Sequence, residues 1–235
     1  MDRPASALVL CAYDAAVRLE DERRQVAEVS RRLAADGLVL GTSGNVSARS
    51  GNEVAITPTG AVLAELEPEQ VTVVDLGGRH VDGELAPTSE VELHLGVYGR
   101  YDAGAVVHTH SPMATALSCV LDEVPCVHYG MLQLGGPVPV SPYETFGTPE
   151  LAAAVLDALE GKRAALMANH GAIVHAGDAS EALELALLLE WACTVYWRAA
   201  AIGEPSALGE EQRQAVIEAA LSRGYGTTRR VDEES

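Results

Sequence analysis

Val106-Val107-His108-Thr109-His110-Ser111 closes an apolar run, and the reading of the whole chain turns on it. In an extended strand, residues i and i+2 face the same side. His108 and His110 then point together, roughly 6.5–7 Å apart along the chain. A second apolar run, Ala164-Ala165-Leu166-Met167-Ala168, ends on Asn169-His170-Gly171. Two imidazoles at that separation can meet on one cation, and a third fills three corners of a tetrahedron. The fourth corner stays open for substrate, the pattern of a catalytic rather than a structural zinc. An isolated strand-end histidine serves more often as a hydrogen-bonded polar residue than as a ligand. The His-x-His pair, and then the third strand-end histidine, bring the metal reading level with that plainer one. His80, His94, His128 and His175 lack such a setting. His94 follows Glu90 by four residues on one helical face; it could support that carboxylate, but the preferred reading is a helix-surface residue.

The single lysine, Lys162, sits in the turn Gly161-Lys162-Arg163 and is expected to be exposed. Schiff-base chemistry needs a buried, deprotonated lysine. Carbanion chemistry in this chain would therefore rely on a metal as its electron sink.

At 235 residues the chain suits one large α/β domain. One Phe and two Trp leave Ala, Val and Leu to fill the core. A net charge of −18 argues against nucleic acid or an anionic membrane as partner. It also makes any anionic-substrate site depend on local donors. Cys11, Cys119, Cys126 and Cys193 are scattered among apolar residues without metal-type spacing. They read as reduced core residues of a cytoplasmic protein, with a Cys11–Cys193 disulfide open but unsupported. Leu8–Ala12 is too short to span a bilayer, and no signal peptide is evident.

Working outward, residues 1–20 read as an N-terminal extension and 21–235 as the domain. Glu20 to Asp36 has helical periodicity, with Gly37 as its C-cap. Residues 46–49 and 53–56 form a hairpin through Ser50-Gly51-Asn52. A strand at 71–76 turns back at Gly77-Gly78. A helix over 89–101 takes Thr88 or Ser89 as N-cap, and the strand of His108 and His110 follows it. Further expectations are a helix over 112–121, short strands near 126–128 and 138–140, and a helix opening at Thr148-Pro149-Glu150. Strands at 164–168 and 172–175, a long helix from 178 to about 201 and a helix over 209–222 complete the chain. Hairpins beside single-helix crossovers predict a single three-layer α/β domain, its central mixed, largely antiparallel sheet covered by helices.

Three loops could cradle an anion. Gly41-Thr42-Ser43-Gly44-Asn45 and Thr57-Pro58-Thr59-Gly60 offer backbone N–H groups and hydroxyls. Pro87-Thr88-Ser89-Glu90 sets two hydroxyls at a helix start. Each alone reads equally as an ordinary turn or N-cap; three in one chain support a phosphate site.

With these motifs in order, the chain resembles the class II aldolase/adducin family, in its L-fuculose-1-phosphate aldolase-like branch. The resemblance runs from about Glu22 to Tyr225. It rests on Gly41–Ser47, Ile56–Gly60, Thr88-Ser89-Glu90, Val106–His110, His128-Tyr129 with Gly135-Gly136, Tyr143-x-Thr145-Phe146-Gly147-Thr148, and Asn169-His170-Gly171. It implies Zn2+ held by His108, His110 and His170. Glu90 is implied as the proton-transfer residue and, in the empty site, a further ligand. The same resemblance implies phosphate bound by Gly44, Asn45, Thr59, Gly60, Thr88 and Ser89. It also implies a C4 homotetramer in which Tyr129 and Tyr225 reach a neighbouring subunit's site, with Tyr129 serving the aldehyde oxygen. The implied reaction is reversible cleavage of a ketose 1-phosphate to dihydroxyacetone phosphate and an aldehyde. The chain departs from the branch at Thr88, where the pattern has Ser, and in its N-terminal extension. Rival readings are a pentulose-phosphate 4-epimerase, a decarboxylase or a dehydratase on the same scaffold, and an adducin-like interaction module. The epimerase pattern carries Asp where this chain has Glu90, and retention of all four site residues argues against the module.

Overall fold

In the computed structural model, which describes residues 17–223, strand alternation decides the layering. The elements run α1 (Glu20–Ala35), β1 (Asn45–Ser50), β2 (Glu53–Ile56), β3 (Thr72–Asp75), β4 (His80–Asp82), α2 (Val91–Arg100), β5 (Ala105–Thr109), α3 (Pro112–Ser118) and β6 (Glu123–Val124). β7 (Val138–Ser141), α4 (Pro149–Ala158), β8 (Ala164–Met167), β9 (Gly171–Ala176), α5 (Ala179–Ile202) and α6 (Glu210–Arg223) follow. The strands form one sheet in the order β4-β3-β2-β1-β5-β9-β8-β7-β6. Every pairing is antiparallel except β7 with β8. The mixed, largely antiparallel sheet of the sequence reading is therefore present.

Successive side chains of a strand point to opposite faces, and here they feed two separate cores. Ala105 and Val107 of β5, Leu166 of β8 and Val174 of β9 join Leu33 of α1, Leu117 of α3 and Leu189 of α5. Val106, Met167 and Ile173, one residue out of phase, join Leu93 and Val97 of α2 and Val155 of α4. The result is a helix–sheet–helix sandwich. By length and composition α5 could cross a membrane, but its buried residues, Leu185 and Leu189 among them, join the core shared with β5, β8 and β9.

The same parity places the chemistry. Asn45 and Ser47 alternate with core residues Val46 and Ala48 of the first layer, so they face α2. His108 shares the face of Val106 and meets them there.

Several elements depart from the sequence reading. β4 was not anticipated; its three residues carry no apolar alternation, and β3 pairs with it across an irregular register. No strand forms at 126–128, where Pro125 has no N–H to donate. A two-residue β6 precedes it, and a 3-10 helix, Tyr129–Leu134, follows it. α3 stops at Ser118, three residues early. α2 has Glu90, not Thr88 or Ser89, as its N-cap, because the Thr88 hydroxyl accepts the Glu90 N–H at 3.3 Å and the Thr88 carbonyl the Val91 N–H. Lys162 is half-buried rather than exposed, its Nζ donating to the Gly135 carbonyl at 3.0 Å. Cys126 and Cys193 are buried but Cys119 is exposed, and all three are free thiols. Most of the N-terminal extension, Cys11 and Tyr225 lie outside the described residues.

Candidate metal centre and active site

β5 and β9 pair directly, with His108 opposite Ile173 and Thr109 opposite Ala172. This brings the end of β5 against the turn that precedes β9, and so His170 against the His-x-His pair. The approach is close: a Cβ at Gly171 would lie 2.2 Å from the Thr109 carbonyl oxygen, so only glycine fits after the third histidine. Asn169, before it, takes a left-handed φ of 56°, a conformation asparagine tolerates better than most residues.

The three rings pack edge to face with centroids 4.8, 4.9 and 5.0 Å apart. Their potential ligand atoms all lie within 4.8 Å of one another. His108 Nδ1 donates to the Ala172 carbonyl at 2.9 Å, which leaves Nε2 bare and aimed inward, 3.0 Å from His110 Nε2. Burial first, then the neighbouring His108 and His170, holds the His110 pKa down to about 4. Burial and then His108 also lower His170. Both imidazoles are thus kept neutral, the form that binds a metal.

Glu90 completes the cluster from the start of α2. Its Oε2 lies 3.3 Å from His108 Nε2 and its Oε1 3.5 Å from His170 Nε2. Oε1 is buried and has no hydrogen-bond partner, and an orphaned carboxylate oxygen beside three convergent nitrogens fits a cation's place. Burial pushes the Glu90 carboxyl up, but His108, the Asn45 amide, His170 and His94 outweigh it and hold it below the ordinary range.

His110, His170 and Glu90 form one wall of a cleft of about 370 Å³, with fully buried His108 behind them. The same cleft is lined by the three loops singled out in the sequence: Gly44 and Asn45, Thr59 and Gly60, Thr88 and Ser89. Gly44 is obligatory there. Its φ is +78°, and a Cβ would meet Val39 Cγ1 at 2.7 Å and the His108 carbonyl oxygen at 2.8 Å. Among the described residues the N–H groups of Gly44, Gly60 and Ser89 make no hydrogen bond.

Asn45 lines the cleft and also bonds within the site: Nδ2 donates to Glu90 Oε2 at 2.9 Å, and Oδ1 contacts His94 Nε2 at 2.5 Å. His94 is not on the helix surface but fully buried, and burial holds its pKa down to about 3. The polar residues Asn45 and Ser47 alternating with Val46 and Ala48 were the signal that this helix face meets polar partners. Tyr143 and Phe146, 64% and 67% exposed, stand with Glu144 at the cleft rim, a placement the sequence reading did not give them. Tyr129 is 45% exposed on its 3-10 helix and does not line the cleft of its own chain. Neither does Lys162.

Residues 24–197 match the family model described as the class II aldolase and adducin N-terminal domain. The chain is 37% identical over 211 residues to the 5-deoxy-D-ribulose 1-phosphate aldolase of Bacillus thuringiensis serovar kurstaki, covering 88% of this chain and 98% of that protein. It is 37% identical over 196 residues to the L-fuculose phosphate aldolase of Escherichia coli K12, covering 83% and 91%. A solved L-fuculose 1-phosphate aldolase superposes with a TM-score of 0.82 at 34% identity, over 86% of this chain and 96% of that one. By the family model over most of its length and by these aldolase relatives, the chain belongs to the class II aldolase and adducin family and is an aldolase, a carbon–carbon lyase.

Proposed function

We propose that this aldolase is zinc-dependent and reversibly cleaves a ketose 1-phosphate, L-fuculose 1-phosphate-like, to dihydroxyacetone phosphate and an aldehyde. The observation that carries the reading is the convergence of three imidazoles and the unpartnered Glu90 Oε1 at one cleft, whose lining also carries N–H groups and hydroxyls suited to phosphate. His108, His110 and His170 would hold the metal, with Glu90 a further ligand in the empty site. When bound, zinc would supply the electron sink that carbon–carbon cleavage needs. In cleavage the proton released from the hydroxyl that becomes the aldehyde oxygen, which Tyr129 serves, passes to the Glu90 carboxylate and is given through Oε1 to the three-carbon fragment; synthesis runs the same transfers backwards. The N–H groups of Gly44, Gly60 and Ser89 and the hydroxyls of Thr59, Thr88 and Ser89 hold the phosphate. Asn45 contributes there with what its bonds to Glu90 and His94 leave over. These dipoles act at close quarters, where they outweigh the long-range repulsion of a chain at −18. Phosphate binding then fixes the reacting carbons against Glu90. A cytoplasmic setting suits the free thiols.

The test is a coupled assay for dihydroxyacetone phosphate release over a panel of 5-deoxyribulose, fuculose, rhamnulose and ribulose 1-phosphates. At least one is expected to turn over, and its unphosphorylated sugar is expected to be a far poorer substrate. Ser89→Leu is expected to raise KM for the phosphorylated ketose roughly 10- to 100-fold, the worth of a hydrogen bond to a charged group, with little change in melting temperature. Equal kcat/KM for the free sugar and its phosphate would remove the phosphate site.

The active form is a C4 homotetramer on this reading, with Tyr129 and Tyr225 reaching a neighbour's site. In support, Tyr129 is exposed yet outside its own cleft, and Trp191 and Trp197 of α5 are 45% and 50% exposed. Such aromatic exposure is typical of surfaces that meet a partner. Light scattering at assay concentration is expected to report four chains per particle; a fully active monomer would overturn the assignment.

A further inference from the structure

Beneath the cleft a chain of buried polar groups runs from Glu90 into the core. Asn45 Nδ2 lies 2.9 Å from Glu90 Oε2, and Asn45 Oδ1 lies 2.5 Å from His94 Nε2. His94 Nδ1 lies 2.7 Å from Ser47 Oγ, which lies 2.7 Å from the Tyr98 hydroxyl. Ser47 and His94 are fully buried, Asn45 and Tyr98 only 4% exposed. The spacing that allows this is set by two regular elements. Glu90, His94 and Tyr98 succeed one another at four-residue steps, about 6 Å each along a helix. Asn45 and Ser47 are two residues apart on one face of β1, about 6.6 Å along a strand. The two rows interleave, so each strand residue bridges two helix residues.

The donors can be assigned from one end. A carboxylate only accepts, so Asn45 must turn its NH2 to Glu90. Its carbonyl oxygen then needs a donor, which is His94 Nε2–H. His94 Nδ1 is left as an acceptor and takes the Ser47 hydroxyl proton. Ser47 Oγ in turn accepts from Tyr98. Every hydrogen bond points toward Glu90. An amide does not hop protons as imidazoles and hydroxyls do, and the chain ends on a buried tyrosine, so it orients rather than conducts.

We propose that His94, backed by Ser47 and Tyr98 and acting through Asn45, is a positioning residue that locks Glu90 Oε2 and thereby leaves Oε1 as the oxygen that moves the proton. The inference rests on Glu90 being the proton carrier. The lock is needed because Glu90 sits at the N-cap, φ −102° and ψ 21°, outside the regular helix that would restrict its rotamers. A carboxylate must be held to about 0.5 Å for efficient transfer.

The experiment uses the full-length metal-loaded enzyme and its His94→Leu, His94→Gln, Tyr98→Phe, Glu90→Gln and His94→Leu/Glu90→Gln variants. His94→Leu is expected to lower kcat about 10- to 100-fold, the cost typical of removing an outer partner of such a site, with KM and metal content unchanged. His94→Gln, which keeps an N–H for Asn45, restores most of the loss. Tyr98→Phe, nearly isosteric, costs roughly 2- to 10-fold, one neutral hydrogen bond. In the Glu90→Gln background His94→Leu adds no further loss, because it acts through that carboxylate. NMR reads the arrangement without turnover. The His94 imidazole is expected to be the neutral Nε2–H tautomer, and the Glu90 side-chain carboxyl resonance to be single in the wild type and His94→Gln but broadened or split in His94→Leu. Wild-type kcat in a folded His94→Leu, losses that multiply with those of Glu90→Gln, or a His94 Nδ1–H tautomer would each overturn the proposal. Should His94→Leu not fold, wild-type kcat in Tyr98→Phe, or a His94 Nδ1–H tautomer in the wild type, does so. Full turnover in Glu90→Gln would instead refute the role given to Glu90, while the NMR signatures of the locked carboxylate stand.

Discussion

His110→Ala is expected to abolish metal binding and, with it, turnover. His110 Nε2 lies 3.0 Å from His108 Nε2, and the three imidazoles converge within 4.8 Å. Removing one leaves two imidazole nitrogens, one short of the three that hold the metal while Glu90 stays free for the proton and a fourth corner stays open. The loss of affinity should exceed the roughly 10–100-fold that follows removal of a mere outer partner. The fold should survive, because His110 is half-buried and lies just beyond the end of β5. Elemental analysis of the purified wild type is expected to show about one equivalent of zinc per chain, and of the variant almost none, with circular dichroism unchanged. Full occupancy in His110→Ala would remove the histidine cluster as the metal site. Other divalent ions can enter imidazole sites, so the wild type should be measured for several metals at once.

Glu90→Gln is expected to keep the zinc and the fold while turnover falls by about 10²- to 10⁴-fold, the usual worth of a positioned proton carrier. Glutamine preserves the shape and still presents a carbonyl oxygen to Asn45 Nδ2, so the packing against Asn45 and His108 remains. It cannot take up a proton at physiological pH. KM should change little if, as proposed, the phosphate is held by the loop residues of the cleft rather than by Glu90. A variant with wild-type kcat would reduce Glu90 to a helix-terminus carboxylate.

Much of this protein is legible in short stretches of sequence. The unbroken apolar runs Ala105-Val106-Val107 and Ala164–Met167 announce strands buried on both faces. The 3.6-residue stripe of Val26, Val29 and Leu33 announces α1. Thr148 before Pro149 and Asp178 before Ala179 open α4 and α5, and both side chains cap as their residue types suggest. The His-x-His pair and the strand-end histidine mark the metal centre for the same reason: the pleat alone turns His108 and His110 one way. β4 was invisible because His80-Val81-Asp82 has no apolar face to read, and its hydrogen bonds to β3 are what define it.

What adjacent residues encode, the sequence by itself determined: element types, turn chemistry, the paired histidines and the three loops that could face an anion. Sheet order decided the rest. Only when β5 lies between β1 and β9 do His170, Glu90 and the loop before β1 arrive at the same end of the sheet. Only the packing of α2 over the outer face of β1 converts His94 from an apparent surface residue into the buried link between Asn45 and Ser47. The physical reason is that periodicity is a property of neighbours a few residues apart, whereas Asn45 and Glu90 are 45 positions apart. Their contact exists only because two apolar faces on either side of one sheet have each found a helix layer to bury them.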